Sequence, residues 1–272
     1  MLTKLLKYEF KDTARIIPFF YLITLIFAGM VLSAKALNIK WFQVTTSALL
    51  LLLGIAVSVI TFVIIVMRFY KNLFSNEGYL MFTLPVKPYK LLTSKTIVSF
   101  FWMILSYGVS IGALYTSMYG LGVMGELSII VGELTKLGLD KGIYYIIPVA
   151  LLATLYFLCQ IFFAITISNR STFHHLGVAG AFLIYIVTNI ILQILEAVLT
   201  IFVPLSVEMN FLDTISTSIT SKNMFGYLLE TINGAQPTSV IIGLGGYIFE
   251  IVMVCVLFHI TSRNMKDKVS LK

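Results

Sequence analysis

Two glutamates stand inside long apolar runs, Glu196 in AFLIYIVTNIILQILEAVLTIF and Glu250 in IFEIVMVCVLFHI. A carboxylate surrounded by hydrocarbon costs several kcal/mol even on lenient insertion scales, so each acid must face polar groups or a wet cavity. Two readings stay open. Either the pair lines a translocation path that favours cationic or amphipathic substrates, or each acid is a protonated or hydrogen-bonded structural carboxyl at a helix contact, since desolvation disfavours its charged form.

Other reactive residue types form no working constellation. His174 and His175 are adjacent, so on a helix they do not share a face, and His259 stands alone in the last apolar run. No H-E-x-x-H or Cys/His spacing is present, and no metal site is expected. Cys159 and Cys255 both lie in apolar runs and read as small buried hydrophobes. Gly120-Leu121-Gly122-Val123-Met124-Gly125 fits G-x-G-x-x-G, but no strand precedes it and no acidic residue follows on a second strand. It reads as a flexible helix exit. Gly108-Val109-Ser110-Ile111-Gly112 fits G-x-S-x-G in the middle of an apolar run, where close helix packing explains small residues better than a nucleophile elbow does. No G-x-x-x-x-G-K-[ST] phosphate loop occurs. The chain is not expected to be an enzyme or to hold a cofactor.

The elements that must carry these residues follow from composition. Of 272 residues, 59% are hydrophobic and 11% charged, whereas soluble domains carry about 25% charged residues. Six runs near 16–34, 44–67, 96–119, 143–168, 176–203 and 238–262 have the roughly 20 apolar residues that cross a bilayer core. Lipid cannot satisfy open strand edges, so each is predicted to be a helix, giving an all-α integral membrane protein with a single transmembrane domain. A cleaved leader is not expected: Glu9 and Asp12 interrupt the basic start, and five more spans follow the first.

Basic residues set the orientation. Segment 1–15 carries Lys4, Lys7, Lys11 and Arg15; segment 68–95 carries Arg68, Lys71, Lys87, Lys90 and Lys95; Arg170 and the 263–272 tail fall on the same side. Of the 19 bases, only Lys35, Lys40, Lys136, Lys141 and Lys222 fall on the other. The positive-inside bias predicts both termini in the cytoplasm, in the cell membrane. The formal net charge of +7 is thus a topology label and no nucleic-acid footprint.

Two segments outside the spans are informative. In 1–15, Lys4, Lys7, Lys11 and Arg15 fall on one helical stripe opposite Leu2, Leu5, Leu6 and Phe10. This predicts an amphipathic helix on membrane lipid, either a simple anchor or one that also touches a cytoplasmic partner. In 68–95, RFYKNLFSNEGYLMFTLPVKPYKLLTSK, a break at Ser75-Asn76-Glu77-Gly78 precedes a short apolar run ending at Pro85. Pro88 is placed to open the third span. A run too short to span must bury its apolar face against the protein or a partner.

With this order of elements, and with Glu77-Gly78-Tyr79-Leu80 and Thr83-Leu84-Pro85-Val86 after the second span, the chain resembles permeases of the type-2 exporter superfamily of ABC transporters, whose ATPase is a separate chain. The resemblance implies a coupling helix over 77–86 that seats on the ATPase, with Glu77, Gly78, Tyr79, Leu80, Phe82, Leu84 and Pro85 as its contacts. It also implies a second permease copy or paralogue, ATP and Mg²⁺ on the partner ATPase, export of amphipathic peptides or hydrophobic compounds, and re-entrant helices between the last two spans. Periodicity alone reads that last segment equally as a surface loop with short helices. The alternative from a different class is a stand-alone membrane scaffold, sensor or channel with no ATPase partner. Gly243, Gly245 and Gly246, just ahead of Glu250, predict a packing surface within the chain or between copies.

Overall fold

The structure, a computed structural model, describes residues 2–74, 86–126, 128–129, 132, 143–170, 177–210, 217–232 and 239–267. Among these, six helices are long and apolar enough to cross a membrane, the architecture of a multi-pass membrane protein. Two compact units are present, one within residues 1–132 and one within residues 133–268.

The first unit holds α1 (Leu2–Thr13), α2 (Ile17–Ala36), α3 (Lys40–Phe74) and α4 (Pro88–Leu121). Helix α4 packs on α1, α2 and α3, and α2 packs on α3. Val31, Leu50 and Ala113 form an apolar core with Phe27 and Ala28 against it. Between α2, α3 and α4 runs a ladder of hydroxyls. Tyr21 Oη meets Ser106 Oγ at 2.7 Å, Ser106 Oγ donates to Thr61 Oγ1 at 2.7 Å, and Ser110 Oγ donates to the Gly54 carbonyl at 2.6 Å. Such interhelical bonds contribute on average about 0.6 kcal/mol each in a membrane. The small-residue expectation at 108–112 holds for Ser110 alone. A Cβ on Gly108 or Gly112 would meet nothing within 4 Å, whereas one on Gly54 would press Ala113 Cβ at 2.9 Å. The expected helix exit is present: Gly122 caps α4 with φ 79°, a left-handed conformation that a side chain disfavours.

Helices α3 and α4, of 35 and 34 residues, reach further than the spans expected at 44–67 and 96–119. At 1.5 Å per residue each is about 50 Å long, against a bilayer core of about 30 Å. Of the expected 68–95 loop, Arg68–Phe74 continue α3 and Pro88–Lys95 begin α4, and residues 75–85 lie outside the described residues. The extension has a packing cause: Thr61, Ile65, Phe69 and Leu73, spaced by four, are all buried. Pro88 opens α4 as the sequence predicted, after Lys87 in extended conformation.

The second unit holds α5 (Ile143–Ser168), α6 (Gly177–Phe202), β1 (Ser206–Asn210), β2 (Thr217–Thr220), α7 (Met224–Ile232), β3 (Ser239–Gly243) and α8 (Gly245–Asp267). Helices α5, α6 and α8 pack on one another around Tyr156, Cys159, Leu192 and Leu257. The strands form an antiparallel sheet in the order β2-β1-β3, with Val207 opposite both Ile219 and Ile242. This corrects the last expected span. Residues 239–243 are strand, and the helix starts at Gly245. The segment before it is a small sheet with the nine-residue α7, which packs on α6 and β3.

Candidate functional site

The second unit contains a cavity of about 560 Å³ with polar side chains in a largely apolar lining. Helix α6 lines it with Asn189, Gln193, Glu196 and Thr200, at intervals of four, three and four that place them on one stripe. Ala197 and Ile201 flank that stripe, and Met224 of α7 adds an apolar wall. Helix α5 supplies Tyr156, Phe157 and Gln160, and α8 supplies Glu250. Asn189 Nδ2 donates to Gln160 Oε1 at 3.1 Å, fastening α5 to α6. From Asn189 to the end of α6 is about 20 Å at the helical rise, so the cavity reaches from the sheet end towards mid-span.

The two acids meet here because α8 comes unusually close to α6. A Cβ on Gly243 would strike the Thr200 carbonyl oxygen, and one on Gly245 the Leu199 carbonyl oxygen. One on Gly246 would strike Thr200 Oγ1 and approach Glu196 Cγ at 3.4 Å. The glycines thus form a packing surface within the chain. Glu250 lies one turn beyond Gly246 on the same face, and this brings its carboxyl within hydrogen-bonding reach of Glu196. Glu250 and Tyr156 are each only 7% exposed. Glu250 Oε2 and the Tyr156 hydroxyl are both buried without a hydrogen-bond partner among the described residues. Burying such atoms unpaired costs about 1–3 kcal/mol each, so a ligand or water that pairs them is favoured.

A second cluster lies in the first unit. Glu9 Oε1 accepts from Lys95 Nζ at 2.7 Å, and Glu9 Oε2 accepts from Arg68 Nε at 3.4 Å. Arg68 Nη2 also reaches Asp12 Oδ2 at 2.9 Å. Thr13 Oγ1 donates to the Glu9 carbonyl at 2.8 Å and accepts from Trp102 Nε1 at 2.7 Å. Phe10 stacks edge-on with Phe101, ring centroids 5.1 Å apart. Glu9 therefore fastens α1 to α3 and α4 at once.

No family model, curated protein or solved structure matches this chain.

Lys4, Lys7, Lys11 and Arg15 are all exposed, while Leu2, Leu5, Leu6 and Phe10 are half-buried. Glu77, Gly78, Tyr79, Leu80, Phe82, Leu84 and Pro85 lie outside the described residues. Among the described residues no cluster of His, Cys, Asp and Glu suits a metal ion. Sequence reasoning missed Glu9 as a site residue. The signal was there: Glu9 and Thr13 fall inside the stripe of Leu2, Leu6 and Phe10, where a simple lipid-surface helix would place apolar residues. Tyr156 and Gln160 left no such signal, since a tyrosine and an amide in an apolar run fit many packing roles.

Proposed function

We propose that this chain is the membrane-spanning permease subunit of an ATP-driven ABC exporter, with ATP and Mg²⁺ bound by a separate ATPase chain. Both termini and the 75–87 segment face the cytoplasm, as the distribution of lysine and arginine favours. Two permease bundles, identical or similar, enclose the path for amphipathic peptides or hydrophobic compounds. Each presents the 77–86 segment to an ATPase, whose closure on ATP pushes that segment and switches access to the path.

The observation that carries this reading is the Glu9 cluster. Helices α3 and α4 are longer than a bilayer core requires, and they flank the segment that would meet the ATPase. Arg68 on one and Lys95 on the other are joined through a single carboxylate on α1. A push on the connecting segment would move two stiff helices and α1 together. A solvated linker would absorb the same push.

The test is purification of the tagged chain from its native membrane. A chain carrying a G-x-x-x-x-G-K-[ST] motif should co-purify in stoichiometric amount. Glu77→Lys, or Leu80→Asp combined with Leu84→Asp, should lose it. Full retention of the ATPase by both variants would reject the contact assigned to 77–86, and a preparation without any ATPase would favour the scaffold or channel.

A further inference from the structure

We propose that the cavity between α5, α6 and α8 is a binding site for an amphipathic primary amine, with its ammonium group between Glu196 and Glu250. Two carboxylates within reach of each other repel unless a proton or a cation lies between them. Among the described residues, the cavity is lined by no lysine, arginine or histidine that could supply that positive charge. Two buried polar atoms point to a ligand: Glu250 Oε2 and the Tyr156 hydroxyl, on residues each 7% exposed, have no hydrogen-bond partner among the described residues. An ammonium has three donors and no acceptor. It can donate to both carboxylates and to the phenol oxygen at once.

Size and lining separate an organic cation from a bare ion. A metal ion needs several oxygen ligands drawn within about 2.6 Å. This cavity is about 560 Å³, within the roughly 300–1,000 Å³ range of pockets for small organic molecules. Beside the acids stand the rings of Tyr156 and Phe157, whose faces attract a cation and pack on an apolar or aromatic body. The Gln160–Asn189 hydrogen bond fixes the orientation of those two side chains in the lining. The charged head is held by the carboxylates, and the body lies along the aromatic wall.

This deepens the transport reading by naming a substrate class and rests on it for the direction of movement. Binding is measured on the chain alone, whereas the ATPase experiment measures coupling, so either can fail without the other. The probe is 4-phenylbutylamine, titrated by calorimetry into the full-length protein in lipid nanodiscs. The neutral 4-phenylbutanol serves as the comparison for hydrophobic partitioning, and sodium chloride as the comparison for a bare cation. Saturable amine binding is expected, at least ten-fold tighter than that of the alcohol and unaffected by exchanging sodium for potassium at constant ionic strength. Glu196→Gln and Glu250→Gln should each weaken it at least ten-fold. Tyr156→Phe, which keeps the ring and removes the unpaired hydroxyl, should weaken it several-fold with an unchanged elution profile. Equal binding of amine and alcohol, no saturable amine binding, displacement of the amine by sodium alone, or wild-type affinity in Tyr156→Phe and in whichever glutamine variants fold would overturn the assignment.

Discussion

Glu9 shows how far one side chain can be from what its neighbours in sequence suggest. Read along the chain, it interrupts a basic segment; in the fold it is 7% exposed and bonded to Lys95, 86 residues away. Removing the Glu9 charge leaves buried Lys95 uncompensated, at a cost of about 3–5 kcal/mol, and removing Lys95 leaves Glu9 only its longer bond to Arg68. Glu9→Gln and Lys95→Met should therefore each lower the thermal unfolding midpoint of the purified protein. The double variant Glu9→Leu with Lys95→Met, which buries no lone charge at the pair, should recover much of the loss. Equal midpoints for wild type and both single variants would show that the pair is not buried. Glu196 and Glu250 were legible as costly residues, because hydropathy alone marks an acid in an apolar run. Their convergence was not legible, since it depends on three glycines that let α8 close on α6.

At the level of elements, the spans were readable and their ends were not. A run of about 20 apolar residues reports a crossing, but nothing in average hydropathy marks where packing on protein takes over from packing on lipid. Helix α3 continues to Phe74 because Phe69 and Leu73 prolong a buried stripe that begins well inside the span. The stripe was in the sequence, hidden by the charges at Arg68 and Lys71. Strand β3 was hidden for another reason. Ser239–Gly243 reads SVIIG, apolar and directly continuous with the last helix, and a short apolar run has no period that separates strand from helix. The glycine contacts give a paired prediction. Gly245→Ala places a methyl group against the Leu199 carbonyl and should destabilise the second unit by about 1–3 kcal/mol, the usual cost of overpacking. Gly112→Ala in α4 meets nothing within 4 Å and should be neutral or slightly stabilising, as alanine favours helix over glycine. Thermal unfolding of the two variants side by side checks both; equal losses would mean that α8 does not approach α6 as closely as described.

For the whole molecule, charge distribution and architecture bear on the same question. Six apolar helices make a multi-pass membrane protein, and the excess of basic residues on one side predicts which ends meet the cytoplasm. In sealed right-side-out cells, single cysteines at Lys4 and Lys266 should stay unlabelled by a membrane-impermeant maleimide, while one at Ser221 should react. Labelling of the first two without the third would invert the topology and remove the 75–87 segment from the cytoplasm. The proposed coupling to an ATPase runs through residues 77–86, so function is tested there directly. The decisive measurement is ATP hydrolysis by the co-purified ATPase in proteoliposomes, with wild-type chain and with Leu80→Asp and Leu84→Asp combined. The account predicts that the wild-type chain raises the hydrolysis rate several-fold over the ATPase alone and that the variant abolishes the rise. An ATPase rate that is the same with wild type, with the variant and with no permease at all would contradict it.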